Sequence, residues 1–338
     1  MKAAAFKRQN EMEVIDVPEP KADTGQVLLK VHDCGICGSD LHACQYGLGM
    51  TPGSIMGHEF CGSVYELGPG VSGFKIGQRV AALPFRFCGE CERCKAGLEI
   101  HCHKLQGLGL GQLPGAYAEF VSCPASSLFP LPDQVSSREG ALVEPLSVGL
   151  HAIKRSRLEP GMTVLVMGAG PIGLATLIWA KAKGARVVVS ELADGRGRLA
   201  QKLGADIVVN PRVHNPAEKI RELTGQNPAL IFECIGVKGT LRDAISMLEP
   251  RGQVVVVGVC METDEINPMQ CILREVSVNF VLGYDRADFH ETIEALNSRT
   301  IEPRPMVTDI IGVEQVPAMF QMLRQPGDHA KVLVEFPD

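Results

Sequence analysis

The sequence predicts an α/β protein: a doubly wound parallel sheet of six strands joined to a β-rich body that carries a cysteine lobe. Three observations predict it. Between residues 163 and 282 six nearly unbroken apolar runs, TVLVMG, RVVVSE, DIVVN, ALIFEC, QVVVVG and VNFVLG, alternate with helix-like segments. Strands apolar on both faces belong to a parallel sheet covered by helices. The first part of the chain instead shows short alternating segments broken by glycine and proline, the pattern of antiparallel strands. Between the two lies FRFCGECERCKAGLEIHC, with thiols spaced C-x2-C-x2-C-x7-C.

The bulk numbers bound the class. A chain of 338 residues can bury two full cores. Net charge is −6 and no Lys/Arg block stands out, so a nucleic-acid footprint is missing. No apolar run approaches membrane-spanning length, and MKAAAFKRQNEMEVIDV lacks the apolar centre of a secretion signal. Its twelve cysteines are therefore expected to be reduced, in a cytoplasmic protein.

In chain order, AAAFK, MEVIDV and QVLLKVH read as antiparallel strands, with EPKADTG as a turn. GSDLHACQ reads as a short helix with Ser39 near its start. EFCGSVYELG and QRVAALP resume the strand pattern around the loop GPGVSGFKIG. After the cysteine lobe, GAYAEFVSCP predicts a strand, and SSREGALVEPLSVGLHAIKR one or two helices. PIGLATLIWAKAKG, RLAQKLG, PAEKIRELTG and GTLRDAISMLE are the crossover helices of the parallel sheet. DFHETIEALNSR reads as a helix, and VTDIIGVEQVPAMFQMLRQ and AKVLVEF are expected to return to the first body.

Three groups of residues carry chemistry. Cys37, His58 and Glu59 are ligand types that suit zinc, and Ser39 and His42 stand where a proton could leave a metal-bound oxygen. Cys34 makes a C-x2-C with Cys37, but no second pair accompanies it and no separate role follows. Cys88, Cys91, Cys94 and Cys102 can close a tetrahedron, the geometry of a structural zinc site; two disulfides are the alternative. The third group is GAGPIG at 168–173, after the strand TVLVM and before a helix. In that context Gly168 makes the tight turn, Gly170 admits a pyrophosphate, and Gly173 lets helix and strand pack closely. Glu191 ends the second strand eighteen positions after Gly173. A carboxylate there would bond the adenosine ribose and repel a 2′-phosphate, favouring NAD; Arg196 and Arg198 could soften that repulsion.

In GICGSDLH, GHE, the four-cysteine lobe, EPLSVGLHA and GAGPIG, ordered and spaced alike, the chain resembles the zinc-dependent medium-chain alcohol dehydrogenases over nearly its whole length. The Glu of EPLSV is similar to the polyol, butanediol and threonine dehydrogenase branch. The resemblance implies a GroES-like catalytic domain over 1–148 and 285–338, and a Rossmann NAD-binding domain over 149–284. It implies two zinc ions per chain: one structural, and one catalytic on Cys37, His58 and Glu59, with Glu144 as a direct or neighbouring fourth. The resemblance also implies proton transfer from Ser39 through the cofactor ribose to His42, Asp40 orienting His58, and Pro171, Ile172, Arg196, Ile235, Val259 and Leu282 beside the cofactor.

Two physical constraints apply to that ligand set. Zinc with one thiolate, one imidazole and one carboxylate is already neutral, so Glu59 and Glu144 are not expected to bind tightly together. Neighbouring strand residues point to opposite faces, so His58 and Glu59 can both bind only if Gly57 breaks the regular backbone. The uncharged loops ACQYGLGMTPGSIMG and LQGLGLGQLPGAY, with Tyr46, Leu48, Met50, Met56, Leu110 and Leu113, predict an apolar pocket. The expected activity is oxidation of a hydrophobic or cyclic secondary alcohol to its ketone. Polyol, 2,3-butanediol or threonine oxidation is the alternative. A zinc-free quinone or enoyl reductase and a non-catalytic NAD-binding structural or regulatory protein are the rivals. The branch favours a tetramer over a dimer.

Overall fold

The structure, a computed structural model, describes residues 1–325 and 327–337. Its six apolar runs form one parallel sheet in the order Ile207–Val209, Arg186–Ser190, Thr163–Met167, Leu230–Glu233, Gln253–Val256, Ser277–Phe280. The order reverses direction between Thr163–Met167 and Leu230–Glu233, the switch point where such sheets open a crevice. Leu165, Val188, Ile231, Phe232 and Val254 are fully buried, as helices on both faces require. The last strand is the edge, and Phe280 there is 70% exposed.

The β-rich body is a seven-stranded sheet. Its path runs Leu128–Pro130, Arg79–Ala82, Glu59–Leu67, Gln26–Gly35, Lys331–Glu335, Val307–Ile311, and Phe120–Pro124 also pairs with Gln26–Gly35. A three-stranded sheet, Glu11–Asp16, Lys2–Arg8 and Ser54–Ile55, lies beside it. The chain thus returns to its first body after the parallel sheet, and Lys331–Glu335 pairs antiparallel with Gln26–Gly35, Leu333 opposite Gly35 and Glu335 opposite Asp33.

SSREGALVEPLSVGLHAIKR forms two helices, Ser137–Ala141 and Val143–Lys154. The second packs on Pro171–Ala182, where Trp179 donates its indole N–H to Leu146 O at 2.9 Å. His151 and Lys154 on Val143–Lys154 both bind Asp288 of the helix Arg286–Asn297, at 2.7 and 2.8 Å. The His151–Asp285–Asp288 cluster is thereby an ion-pair clamp between two helices, with Lys154 as its cation.

Candidate active site

The site begins at the helix Gly38–Tyr46, which Cys37 caps. Asp40 lies in its first turn, fully buried, and accepts three hydrogen bonds. Its Oδ2 takes the Cys37 backbone N–H at 3.0 Å and the Tyr117 hydroxyl at 2.6 Å, and its Oδ1 takes His58 Nδ1 at 3.0 Å. A proton held on Nδ1 by a carboxylate leaves Nε2 as a lone pair, the state a metal needs. That Nε2 lies 3.3 Å from Ser39 Oγ, which is 3.1 Å from Cys37 Sγ.

His58 and Glu59 reach the same centre because the strand starts irregularly. Gly57 has φ +94°, and a Cβ there would stand 2.6 Å from the Tyr117 ring. Both constraints demand glycine. Ligand atoms of Cys37, His58 and Glu59 lie within 4.8 Å of one another.

Glu59 is fully buried and divided between two environments. Its Oε2 pairs with Lys331 Nζ at 2.5 Å, and Lys331, itself fully buried, also donates to Ile36 O at 3.0 Å. Its Oε1 is buried without any hydrogen-bond partner among the described residues. An orphaned carboxylate oxygen is costly unless a cation takes it. Sulfur, nitrogen and that oxygen are a donor set that suits zinc. Gly35 makes room for the carboxylate, since a Cβ there would fall 2.1 Å from Oε2.

Glu144 opens the helix Val143–Lys154 and stands outside the three converging ligand atoms. Burial, and then the Glu59 carboxylate, push its pKa up to about 7. The buried Tyr284 hydroxyl lies beside it without completing a well-formed hydrogen bond. Burial works against the Lys331 charge, but Glu59, Cys37 and Glu144 raise its pKa overall, so the ammonium persists. Lys331 changes the charge count made from the motifs alone. With its positive charge, Cys37, Glu59, Glu144 and a divalent ion sum to neutrality.

His42 follows Ser39 by one helical turn, half-buried, its ring edge-on to Tyr46 at 6.3 Å between centroids. Burial lowers its pKa and keeps it neutral, ready to accept a proton.

The second half of the site lies at the switch point. Gly168 turns with φ +92°, and a Cβ on Gly173 would fall 2.0 Å from Gly168 O, while a Cβ on Gly170 would meet nothing within 4 Å. The turn is closed on the sheet side and open toward the crevice, as a pyrophosphate cradle must be. Gly170 caps the helix Pro171–Ala182, with Pro171 in its first turn and Ile172 against the core. Glu191 accepts Ala169 N–H at 2.7 Å through Oε2, and the N–H groups of Leu192 and Ala193 at 2.7 and 2.8 Å through Oε1. Ile235, Val259 and Leu282 follow successive parallel strands and are 42%, 56% and 61% exposed. Arg196 donates Nε to His329 O at 2.8 Å, which ties it to the returning C-terminal segment. Arg198 is exposed.

The four lobe cysteines are free thiols, with sulfur separations of 3.5 Å for Cys88–Cys102 and Cys91–Cys94, 3.9 Å for Cys88–Cys94 and 4.0 Å for Cys91–Cys102. A tetrahedron with Zn–S bonds of about 2.3 Å has edges of roughly 3.8 Å. Backbone donors bring Cys91 down to about 6 and lower Cys102, whereas burial and the other thiols push Cys94 up to about 12. Four sulfurs so close cannot all ionise without a cation.

The apolar loops are divided. Tyr46 and Leu48 are exposed and Leu110 half-buried, but Met50 and Met56 are buried in the core of the β-rich body, with Leu113 packed against it. The expectation that all six line a pocket is corrected: the methionines fill the interior beneath the loop. Lys331, Tyr117, Tyr284 and Gly35 were not anticipated as site residues. Only the buried lysine in an apolar strand, AKVLVEF, carried any signal.

Comparison with known proteins follows this geometry. Residues 23–133 match the alcohol dehydrogenase GroES-like domain, and residues 171–298 the zinc-binding dehydrogenase domain. The sorbitol dehydrogenase of Bacillus subtilis strain 168 is 33% identical over 342 residues, covering 99% of this chain and 97% of that protein. The chain belongs to the zinc-dependent medium-chain alcohol dehydrogenase family. The solved 2R,3R-butanediol dehydrogenase of Bacillus subtilis superposes on this dehydrogenase with a TM-score of 0.90 at 33% identity, covering 99% of each chain. A zinc-binding dehydrogenase of Sinorhizobium meliloti 1021, bound to NADP, superposes with a TM-score of 0.92 at 31% identity and the same coverage. The dehydrogenase is a zinc and NAD enzyme of this family, with a GroES-like domain and a Rossmann-type parallel sheet. Among the described residues no helix is long and apolar enough to cross a membrane.

Proposed function

We propose that Cys37, His58 and Glu59 hold the catalytic zinc, with Glu144 poised beside it, and that the dehydrogenase oxidises a moderately hydrophobic secondary alcohol to its ketone. The observation that carries this is the unpartnered Oε1 of buried Glu59 beside the Cys37–His58 pair. When bound, zinc acidifies the alcohol hydroxyl and the nicotinamide takes up hydride.

The chain's own residues do the rest. Asp40 fixes the His58 ring, and Lys331 holds Glu59 Oε2 so that Oε1 faces the metal. Ser39 Oγ, beside Cys37 Sγ and His58 Nε2, accepts the alcohol proton as it gives up its own hydroxyl proton, and neutral His42, one turn away, takes up the released proton on its way to solvent. The cradle at 168–173, Glu191, Arg196, Ile235, Val259 and Leu282 place NAD across the crevice. Cys88, Cys91, Cys94 and Cys102 hold the structural zinc of the lobe.

The apolar reading of the substrate rests on Tyr46, Leu48 and Leu110 and on the absence of charge in both loops. The sorbitol and butanediol dehydrogenase relatives support a second reading, a vicinal diol or polyol. NADH formation with cyclic secondary alcohols, sorbitol, 2,3-butanediol and threonine separates them. Turnover of the apolar alcohols is expected; turnover of polyols or threonine alone would overturn the pocket argument.

A cytoplasmic location is our reading of twelve free cysteines. A homo-oligomer, with a tetramer favoured, is supported by the open outer edge of Ser277–Phe280 and by neighbouring Ile272 and Leu273, 70% and 72% exposed. Light scattering of the eluting protein gives its mass directly.

A further inference from the structure

The nine-residue helix Asp194–Lys202 begins immediately after Glu191, where the adenosine ribose of a bound dinucleotide would lie. The free N–H groups at such a start are natural partners for a 2′-phosphate. Here carboxylates take two backbone N–H groups just ahead of the helix and one in its first turn. Glu191 takes Leu192 N–H and Ala193 N–H. The third, Gly195 N–H, is taken at 2.9 Å by Oδ1 of Asp328, which comes from the distant C-terminal segment. The approach is close enough that a Cβ on Gly195 would stand 2.2 Å from Asp328 Cγ.

This placement is not a chance of a loose loop. His329 binds Asp309 on the strand Val307–Ile311 at 2.6 Å, and Ala330 N–H donates to Thr308 Oγ1 at 3.1 Å. Arg196, the cation that could have received a 2′-phosphate, donates Nε to His329 O. The same segment thus adds a negative charge at the helix start and draws the nearest positive one toward itself. Asp194, also in the first turn, adds another carboxylate, and exposed Arg198 is a further cation on the same helix.

We infer that Asp328 is a second discriminator against NADP, contributed by the returning C-terminal segment and acting beside Glu191. The inference rests on the assignment of the crevice to NAD. A 2′-phosphate entering here meets the Glu191 and Asp328 carboxylates, finds the N–H groups of Leu192, Ala193 and Gly195 taken, and must break the Asp328–Gly195 contact to gain the last of these. A ribose hydroxyl meets none of these costs, because it can donate to Glu191.

The test is equilibrium binding of NADPH and NADH to the zinc-loaded enzyme, followed by nicotinamide fluorescence, for wild type, Asp328→Asn and Asp328→Ala. The expected result is a fall of about tenfold in the ratio Kd(NADPH)/Kd(NADH) for Asp328→Ala, the scale of one carboxylate beside a doubly charged phosphate near solvent. Asp328→Asn should fall less, because its amide oxygen still accepts Gly195 N–H. The wild-type ratio should decline with added salt, and Asp328→Ala should flatten that decline, which a merely structural residue would not do. Ratios in both variants equal to that of a wild type preferring NADH overturn the role of Asp328 alone. A wild type that binds NADPH more tightly overturns the NAD assignment, and this inference with it.

Discussion

The two metal-ligand clusters of this dehydrogenase solve the same electrostatic problem in opposite ways. In the lobe, four thiols lie within fifteen residues on short elements and face one another, with the backbone N–H groups of Cys88 and Lys104 donating to Cys102 and the exposed Lys104 ammonium, paired with Glu90, as the cation beside them. An exposed lysine balances little of that charge, so most of it is left for an ion, as the proposed structural zinc site requires. Around Cys37 the protein supplies its own cation. Lys331 binds one oxygen of Glu59, Asp40 orients His58, and one carboxylate oxygen remains for the metal. A site with three ligands and an internal counter-charge keeps a position for substrate. Number of ligands alone does not separate a structural ion from a catalytic one; the surrounding charge does.

Experiments that remove one element at a time test this contrast. The largest effect is expected at Cys37. Cys37→Ala should lower zinc from about two ions per chain to about one and reduce turnover by about ten-thousandfold, several kcal/mol of lost Lewis-acid stabilisation. Metal analysis that still finds two ions would place the catalytic zinc elsewhere. Cys94→Ser should instead strip the lobe, at a cost on the order of 5 kcal/mol, and appear first as lower thermal stability with turnover retained in the cold. If both substitutions abolish turnover while leaving stability alike, the division of roles is wrong.

Lys331→Met addresses the counter-charge. Leaving Glu59 buried and unpaired should destabilise the metal-free protein by about 3–5 kcal/mol. Zinc should restore much of that loss, so the gap between metal-free and zinc-loaded melting temperatures should widen. A gap equal to that of wild type would deny Lys331 its role. Asp40→Asn should keep the fold but weaken zinc at the Cys37 site by about 10–100-fold, read by chelator competition.

The smallest effect comes from Asp33, a buried carboxylate opposite Cys61 on the neighbouring strand, without a lysine of its own. Its Oδ1 is orphaned, and burial, with Glu335 opposite it, raises its pKa to about 6. A raised folded-state pKa means that the native protein holds the proton more tightly than the unfolded chain. Its contribution is therefore fully present below about pH 4 and lost as pH rises through about 6. Asp33→Asn should be more stable than wild type above that range, by about 1–2 kcal/mol, with the difference vanishing at about pH 4. A pH-independent difference would show that packing, not titration, sets the cost.

How much of this was legible depends on distance along the chain. The parallel sheet, the phosphate turn and the four-thiol lobe are written in local patterns, because each is built from neighbours in sequence. So was the demand on Gly57, since His58 and Glu59 cannot share a ligand centre on a regular strand. Met50 and Met56 misled because a run of uncharged residues looks alike whether it lines a pocket or fills a core. Only tertiary packing separates the two, here by placing both methionines in one buried cluster with Phe60 and Tyr117.

The sequence by itself determined the fold class, the ligand types and the dinucleotide turn, since period, spacing and glycine position are local properties of the chain. Only the tertiary structure decided what balances them. Lys331 lies 272 positions from Glu59, Tyr117 lies 77 from Asp40, and Asp328 lies 133 from Gly195. The return of the C-terminal strand to Gln26–Gly35 brings Lys331 inside, and the register of that pairing selects which residue meets the carboxylate. Charge compensation acts through space, so no local pattern could announce it.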